Sequence, residues 1–365
     1  MASSFPQPMP QSGCIVFTEG DELYDHMLAA IRSAERSVRL ESYIFADDEV
    51  GRAFVEALAE RARAGVDVRV HLDAFGSFLP QFSNADEQME IAGVKLKWFR
   101  PLAWRSFAYL NHRNHRKLLV VDERCAYLGG FNIHRESSRR AVGAERWRDS
   151  QLGFTGALAE EAARIFDLLW RGDRAWQMAK PDEAGTYLLS NHSWRNRRRL
   201  WRVFAYRFRR AHKRIYLTTP YFMPDSRTQH ELMLAARRGV DVKLLLPGKK
   251  SDRWLTRYAA RAAYRRLLDA GVQIFEYLPR MLHAKTVTID GNWATIGTAN
   301  MDYRSFFVNF ELNLVTRNKA LCEHLEHDFA NDLRDSAAID SARWGMRNRL
   351  ARLIERFAWS IRRWM

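Results

Sequence analysis

An eight-residue motif, His-x-Lys-x-x-x-x-Asp, occurs twice in this chain of 365 residues. The first copy runs from His115 to Asp122, and the second runs from His283 to Asp290. Between lysine and aspartate both copies contain residues that favour β-strands, and a glycine-containing turn and an asparagine follow each copy. Two core strands that carry the same polar residues predict two similar structural units.

The spacing within each copy places a histidine and a lysine on the same side of an extended segment, because side chains alternate along a strand. His115 therefore accompanies Lys117, and His283 accompanies Lys285. An imidazole, an ammonium group and an amide that converge on one point suit the oxygens of a phosphate group. Two such sets suit a phosphodiester that is attacked on one side and released on the other.

Further segments recur in the same order, which indicates an internal duplication. Residues 34–45 align with 211–222, residues 65–72 with 239–246, and Gly93 with Gly271, at offsets of 177, 174 and 178 residues. The two motifs themselves are 168 residues apart. Each copy alternates predicted strands and helices with glycine at helix ends, which is typical of a layered α/β fold.

The duplication predicts how the chain is divided. The predicted segments are a flexible N-terminus at 1–13, a first repeat at 14–180, a second repeat at 185–335 and a basic amphipathic helix at 340–365. The first repeat has extra residues at 101–110, directly before its motif, and we expect this insertion to lie on the substrate side.

The net charge of +15 is concentrated in two segments. Residues 194–214 contain ten Lys or Arg and no acidic residue, and residues 343–365 contain seven Arg and one Glu. Focused positive charge indicates a polyanionic partner, either nucleic acid or an anionic membrane surface. In the first segment, the spacing of Leu200, Phe204 and Phe208 also predicts a helix with one face in the core.

The terminal segment has the pattern of an amphipathic helix. Apolar residues at helical spacing are Met346, Leu350, Leu353, Ile354, Phe357, Ile361 and Trp364, and the segment also contains Trp344 and Trp359. Such a helix, rich in arginine and tryptophan, is typical of a membrane interface. Docking on the protein or pairing between subunits are the alternatives.

Several features bound the cellular setting. The three cysteines, Cys14, Cys125 and Cys322, are widely spaced without a Cys-x-x-Cys pair, which fits a reducing compartment and disfavours a cysteine zinc site. The N-terminus lacks the features of a secretory signal. No apolar run approaches the roughly 18 residues that span a bilayer. We therefore expect a soluble or peripheral protein.

The paired motifs, each followed by Gly-Gly or Gly-Thr, one residue and Asn, resemble the phospholipase D superfamily over residues 15–335. Segments 221–225 and 296–302 are similar to its bacterial cardiolipin synthase branch. The resemblance implies an α/β fold of two phospholipase D-like repeats, each a mixed β-sheet flanked by helices. A pseudo-twofold axis would relate the repeats, with one active site at their seam.

The resemblance also implies roles for individual residues. His115 would form a phosphohistidine and His283 would act as general acid and base, although the residues alone do not order the two. The expected phosphate contacts are Lys117, Lys285, Asn132, Asn300, Thr298 and Gly130. Gly130 departs from many family members, which have Ser or Thr there, so its backbone N–H would replace the missing hydroxyl.

Four acidic residues complete the expected site. Asp149 and Glu311, at corresponding places after the two motifs, would each fix the tautomer of an imidazole, or would instead pair with an arginine. Asp122 and Asp290 are counted with the catalytic motifs, and their place at strand ends predicts a structural or supporting role. No metal or other cofactor is expected, because the lysines supply positive charge.

The implied activity is a phosphatidyl transfer, such as the conversion of two phosphatidylglycerols into cardiolipin and glycerol. The expected partners are an anionic phospholipid and the cytoplasmic side of the membrane, contacted through residues 194–214 and 343–365. The alternatives are a phospholipase D hydrolase and a nuclease of the same superfamily. The nuclease is disfavoured because such enzymes often carry one motif per chain and dimerise. The oligomeric state stays open.

Overall fold

The computed structural model describes residues 13–77, 85–101, 112–173 and 177–362. Three predictions concern residues outside these ranges, namely the flexible start, nearly all of the insertion at 101–110 and the role of Trp364. Within the described ranges, no helix has both the length and the apolar character needed to cross a membrane.

The first repeat forms a seven-stranded sheet with helices around it. Its strands are β1 (Cys14–Phe17), β2 (Ser37–Ser42), β3 (Asp67–Asp73), β4 (Lys95–Phe99), β5 (Leu118–Val121), β6 (Cys125–Gly129) and β7 (Gln151–Thr155). Its helices are α1 (Gly20–Arg32), α2 (Glu49–Arg63), α3 (Ala85–Ile91), α4 (Arg139–Val142) and α5 (Ala157–Arg171). The strand order is β1-β7-β6-β5-β2-β3-β4, in which only β2, β3 and β4 are mutually parallel.

The second repeat follows the same plan. Its strands are β8 (Tyr187–Ser190), β9 (Arg214–Thr218), β10 (Phe222–Met223), β11 (Asp241–Pro247), β12 (Gln273–Tyr277), β13 (Thr286–Ile289), β14 (Trp293–Gly297), β15 (Met301–Asp302), β16 (Leu312–Thr316) and β17 (Ser336–Ala338). Its helices are α6 (Trp194–Arg209), α7 (Ser226–Arg237), α8 (Trp254–Asp269), α9 (Tyr303–Phe307) and α10 (Lys319–Arg334), followed by α11 (Ser341–Trp344) and α12 (Arg349–Ser360). The sheet order is β8-β16-β14-β13-β9-β11-β12-β17, and β10 pairs with β15.

Local sequence accounts for the main elements. Strand β5 has the sequence Leu-Leu-Val-Val and is buried along its whole length, as expected for a central strand that is covered on both faces. Helix α2 begins after Asp48, whose carboxylate accepts the N–H groups of Val50 and Gly51. After α2 the chain turns through Gly65, and Gly239 makes the same turn after α7. Both have a φ of +89°, which favours glycine.

The two repeats pack against each other through their antiparallel strands. Leu128 and Phe154 of the first repeat share one buried cluster with Ile296 and Leu314 of the second. Corresponding strands occupy the same order in both sheets, so an approximate twofold axis relates the repeats. The prediction of two similar α/β repeats, made from the duplication, is confirmed.

Two further predictions can be compared with the structure. Leu200, Phe204 and Phe208 of α6 are buried, so this basic helix does have a core face as predicted. The predicted division between the repeats, at 180–185, falls in the irregular stretch between α5 and β8. The segment boundaries themselves stay a prediction.

Candidate active site

The two motif histidines lie at the edge of each sheet where the parallel strands end. His115 precedes β5 and His283 precedes β13. Because β5 and β13 run antiparallel to β2 and β9, the start of each lies beside the C-terminal end of a parallel strand. This edge is where open α/β sheets bind their ligands.

The two repeats exchange backbone hydrogen bonds at this edge. The N–H of His115 donates to the carbonyl of Phe310 at 2.9 Å, and the N–H of His283 donates to the carbonyl of Arg148 at 2.7 Å. The residue that follows each of these carbonyls is acidic. Each histidine is thereby brought next to a carboxylate of the opposite repeat.

These carboxylates contact the imidazole rings directly. Nδ1 of His115 lies 3.1 Å from both carboxylate oxygens of Glu311, and Nδ1 of His283 lies 2.5 Å from Oδ2 of Asp149. All four side chains are buried. A carboxylate in this position accepts a hydrogen bond from a protonated Nδ1. The lone pair of the neutral ring is then on Nε2, where it is available for chemistry. Asp149 and Glu311 therefore contact histidines, as one of the two sequence hypotheses held, but across the repeats.

Each carboxylate is supported in a different way. The carboxylate of Glu311 accepts hydrogen bonds from the hydroxyl groups of Thr298 and Ser305, with oxygen–oxygen distances of 2.5 and 2.9 Å. Asp149 instead packs against Gly130, where an added Cβ atom would lie only 2.0 Å from its Oδ1. The second repeat thus pairs Thr298 with Glu311. At the corresponding positions the first repeat pairs Gly130 with Asp149, whose side chain is shorter.

The same arrangement gives Thr298 and Gly130, the two predicted phosphate contacts, partners within the protein. The Thr298 hydroxyl donates to Glu311, and the Gly130 N–H donates to the carbonyl of Ser150 at 2.9 Å. Both donors are therefore already used within the protein. Their role in the structure is to hold or accommodate the carboxylates behind the histidines.

The two motif lysines are buried at the same site. Nζ of Lys117 donates to the carbonyl of His115 at 2.8 Å, and Nζ of Lys285 lies 3.9 Å from Oδ2 of Asp149. Burial lowers the pKa of Lys117 to about 7, with a further decrease from Lys285, and burial lowers the pKa of Lys285 to about 8. Among the described residues, no group of three or more His, Cys, Asp or Glu side chains is arranged to hold a metal ion.

The histidines and lysines of both repeats influence one another electrostatically. Burial lowers the pKa of His115 to about 4, and Lys285 contributes to that decrease. Burial lowers the pKa of His283 to about 3, and Lys117 contributes in turn. The four groups therefore form one cluster across the seam, in which both imidazoles are neutral near pH 7. A bound phosphodiester would raise both pKa values, because its negative charge stabilises an imidazolium.

The two predicted asparagines are buried beside this cluster. The side-chain oxygen of Asn132 accepts a hydrogen bond from the backbone N–H of Ile44 at 3.1 Å. The NH₂ group of Asn132 therefore points away from Ile44. The side-chain oxygen of Asn300 is buried without a hydrogen-bond partner in the part of the chain that the structure describes. Buried amide oxygens normally accept a hydrogen bond, so this atom would be completed by a donor such as a hydroxyl group of a bound ligand.

The last residues of the two motifs lie away from the histidines, at positions that suit the structural or supporting role expected from the strand ends. Asp122 accepts the backbone N–H groups of Glu35, Arg36 and Ser37 at 2.8–2.9 Å. Asp290 accepts three equivalent N–H groups, those of residues 212–214. Burial acts to raise the pKa of each carboxyl, but these donors hold it below its ordinary value. Both aspartates therefore fix the turn that leads into the neighbouring parallel strand.

Replacing Asp122 with Asn should destabilise the protein without removing its chemistry. The amide would direct an NH₂ group at a backbone N–H, at a cost of about 1–3 kcal/mol. We expect a lower midpoint of thermal unfolding and a kcat within about threefold of the unaltered protein at a temperature where both are folded. A kcat lower by about 100-fold in the folded variant would return Asp122 to the catalytic residues. Arg52→Gln, which removes an exposed ion pair with Asp47, is the control for a surface change.

Aromatic residues flank the histidines, and the sequence only hinted at them. The ring of Tyr43 lies 5.0 Å from that of His115, and the rings of Trp147 and Tyr221 lie 5.0 and 6.4 Å from that of His283. Tyr43 and Tyr221 lie within segments that recur in both repeats, and each ring lies beside the histidine of its own repeat. Trp147 was not singled out, although its place two residues before Asp149 was the available signal.

Comparisons with known proteins agree with this geometry. The family model described as "Cardiolipin synthase, PLD-like domain" matches residues 27–170 and 205–333. The chain is 32% identical to the probable cardiolipin synthase YwiE of Bacillus subtilis, over 95% of this chain and 71% of that protein. It is 34% identical to the cardiolipin synthase of Geobacillus kaustophilus, over 93% of this chain and 70% of that protein. Phosphatidylserine synthase from Haemophilus influenzae has a similar fold, with a TM-score of 0.74 at 14% identity over 95% of this chain and 92% of that one.

Proposed function

Because this chain belongs to the phospholipase D superfamily, in its cardiolipin synthase branch, we propose that it joins two phosphatidylglycerols into cardiolipin and releases glycerol. It is an enzyme of the phosphatidyltransferase type with a phospholipid substrate. The observation that carries the mechanism is the exchange of carboxylates between repeats. It provides two oriented, neutral imidazoles beside two lysines in one site.

The first step is the attack of one imidazole on the donor phosphorus. The proposed nucleophile is Nε2 of His115, which forms a bond to phosphorus while the bond to the glycerol headgroup oxygen breaks. His283, protonated once the anionic substrate is bound, gives its proton to the departing glycerol. Lys117 and Lys285 hold the non-bridging oxygens as charge develops on them.

The second step reverses these roles. A hydroxyl group of the second phosphatidylglycerol gives its proton to the now neutral His283 and attacks phosphorus. The bond between phosphorus and His115 then breaks, so that the histidine leaves in its original form. Asn132 and Asn300 are proposed to hold the phosphoryl oxygens in both steps. Glu311 and Asp149 keep the two rings in the required tautomers.

The test is to incubate the purified protein with phosphatidylglycerol vesicles, and separately with single-stranded DNA, and to identify the products by mass spectrometry. We expect cardiolipin and glycerol in equal amounts, and no cleavage of DNA. Phosphatidic acid as the main product would indicate a hydrolase instead. Consumption of DNA alone would overturn the proposal. The cardiolipin synthases among the relatives favour transfer over the nuclease alternative.

We further propose that α12 contacts the membrane, although in a different way from the sequence prediction. One face of α12 packs on α8, where Glu355 and Ala358 are buried. The opposite face exposes Leu350, Leu353 and Phe357, each about 60% exposed, next to arginines. A helix with one packed face and one exposed apolar face fits a bilayer surface rather than open water.

The two tryptophans of this segment that the structure describes pack against the protein. Trp344 is buried, and its ring stacks on that of Tyr264 at 5.0 Å. Trp359 is partly buried against the core of the second repeat. Trp254, at the start of α8, is 63% exposed.

The orientation of α12 directs the proposed lipid surface toward the active site. Its C-terminal residues Ala358 and Trp359 pack beside Met223 and Tyr221, close to His283. Helix α6 and the residues directly after it add exposed cations that suit anionic lipid headgroups, namely Arg198, Arg202, Arg209, Arg210 and Lys213. We propose peripheral attachment to the cytoplasmic side of the membrane through these two regions.

Replacing Leu350, Leu353 and Phe357 together with Ser should weaken binding to phosphatidylglycerol vesicles by roughly tenfold to a hundredfold, because three apolar side chains would no longer enter the interface. Vesicle flotation measures this directly. The matched control replaces Ile91 and Leu278, which are 77% and 55% exposed elsewhere on the protein, with Ser. Equal vesicle binding by the triple variant and the control would show that Leu350, Leu353 and Phe357 do not contact the membrane.

A further inference from the structure

An arginine at the start of α8 lies over the active site from the second repeat. The guanidinium carbon of Arg253 is 5.8 Å from the centre of the Tyr221 ring, and this ring is 6.4 Å from that of His283. The Tyr221 hydroxyl donates to Asp252 at 2.5 Å, which fixes the segment before α8 against the site. The ring of Tyr221 therefore lies between Arg253 and the histidine of the second repeat.

The same arginine also reaches the first repeat. The ring of Tyr43 is 5.0 Å from that of His115 and 5.1 Å from Nζ of Lys117. Burial raises the pKa of Tyr43, and the positive charges of Arg253 and Arg304 oppose that rise. The guanidinium group of Arg253 thus lies against Tyr221, and its positive charge also acts on Tyr43, so it influences the tyrosines beside both histidines.

The chemistry of the proposed transfer requires a cation in this place. When a second phosphatidylglycerol attacks, its own phosphodiester lies one glycerol unit away from the reacting phosphorus. Two negative charges at that separation repel each other in a partly buried site. The two motif lysines and the two asparagines are proposed to hold the first phosphate, so the second needs positive charge outside that set.

We propose that Arg253 binds the phosphodiester of the acceptor lipid, with Arg304 adding positive charge beside it, and that this contact selects an anionic acceptor over water or a neutral alcohol. The inference rests on the proposed function and assigns the acceptor subsite within it. No step of the mechanism described above uses Arg253.

Several properties of Arg253 suit this role. Its side chain is 49% exposed, so a lipid headgroup can reach it from outside. A guanidinium group can bind two phosphate oxygens at once. Its nearest carboxylate, that of Asp252, lies 3.9 Å from Nε and accepts the Tyr221 hydroxyl. Trp254, the next residue, is exposed, so the apolar part of a lipid can contact the surface beside Arg253.

The test compares two acceptors for the same donor. Vesicles of phosphatidylglycerol are incubated with labelled glycerol, and both cardiolipin formation and incorporation of the label into phosphatidylglycerol are measured. For Arg253→Gln, the ratio of cardiolipin formation to label incorporation should fall at least tenfold. Arg253→Lys, which keeps the charge but loses the two-point contact, should give an intermediate ratio. Arg266→Gln, an exposed change on the same helix, is the matched control and should leave the ratio unaltered.

The outcomes separate this inference from the proposed function. If the unaltered protein forms cardiolipin and Arg253→Gln lowers both reactions equally, or lowers neither, Arg253 does not select the acceptor and the inference fails alone. The same comparison with Arg253→Lys decides the case if Arg253→Gln does not fold. If the unaltered protein incorporates labelled glycerol but forms no cardiolipin, the proposed function fails, and the assignment of an anionic acceptor fails with it.

Discussion

Replacing His115 or His283 with Ala should each lower the kcat of cardiolipin formation by about 10⁴-fold or more. Loss of His115 removes the proposed nucleophile, and loss of His283 removes the group that protonates the departing glycerol. Because the two act as a unit, the double variant should be hardly worse than either single one. Initial rates with phosphatidylglycerol vesicles provide the measurement.

Protein denatured with detergent at mildly alkaline pH, where a phosphorus–nitrogen bond survives better than in acid, shows which histidine carries the phosphatidyl group. With donor labelled in its phosphate, His115→Ala should retain no label, whereas His283→Ala is expected to retain some. The reverse pattern would exchange the two roles. Turnover that survives both replacements would remove the mechanism altogether. His230→Ala, on the exposed surface of α7, serves as the control.

The second large effect concerns the carboxylates that cross between repeats. Asp149→Asn and Glu311→Gln should each lower kcat by roughly 10²–10⁴-fold, because an amide does not hold the Nδ1 proton as a carboxylate does. The imidazole would then adopt the wrong tautomer, or lose the charge that stabilises its protonated form. We expect a much smaller change in KM, since neither carboxylate is proposed to touch the lipid.

A structural role alone would give a different result. The matched control is Glu276→Gln, which alters a buried carboxylate that pairs with Arg257 and Arg261 away from the histidines. It should lower thermal stability and leave kcat within about threefold at a temperature where the protein is folded. If Asp149→Asn and Glu311→Gln behaved like this control, the carboxylates would be packing groups, and their contacts with the histidines would be incidental.

Much of the fold was predictable because it depends on periodic local patterns. The alternation of strand and helix, and its recurrence at nearly constant offsets, predicted two α/β repeats. The spacing of Leu200, Phe204 and Phe208 predicted the core face of α6. The motif histidines and lysines could be selected because two copies of one polar pattern at a strand start are rare by chance.

Other features could not be predicted because they depend on close contacts between distant residues. Gly130 is a glycine because the Asp149 carboxylate occupies the space of its Cβ atom, and no local pattern encodes that contact. Asp122 belongs to the motif in sequence, yet it lies at the opposite end of the strand from His115 and binds backbone N–H groups of another segment. Trp344 is buried because α11 lies against Tyr264 of α8, a packing choice that helical spacing does not specify.

The sequence by itself determined the motif histidines and lysines as candidates, the duplicated α/β architecture and the family, because each depends on residue type and spacing along the chain. Only the tertiary structure decided which carboxylate serves which histidine. Glu311 lies 196 residues from His115, and Asp149 lies 134 residues from His283. These pairs form where the backbones of the two repeats hydrogen-bond across the seam, and that geometry exists only after both sheets have packed together.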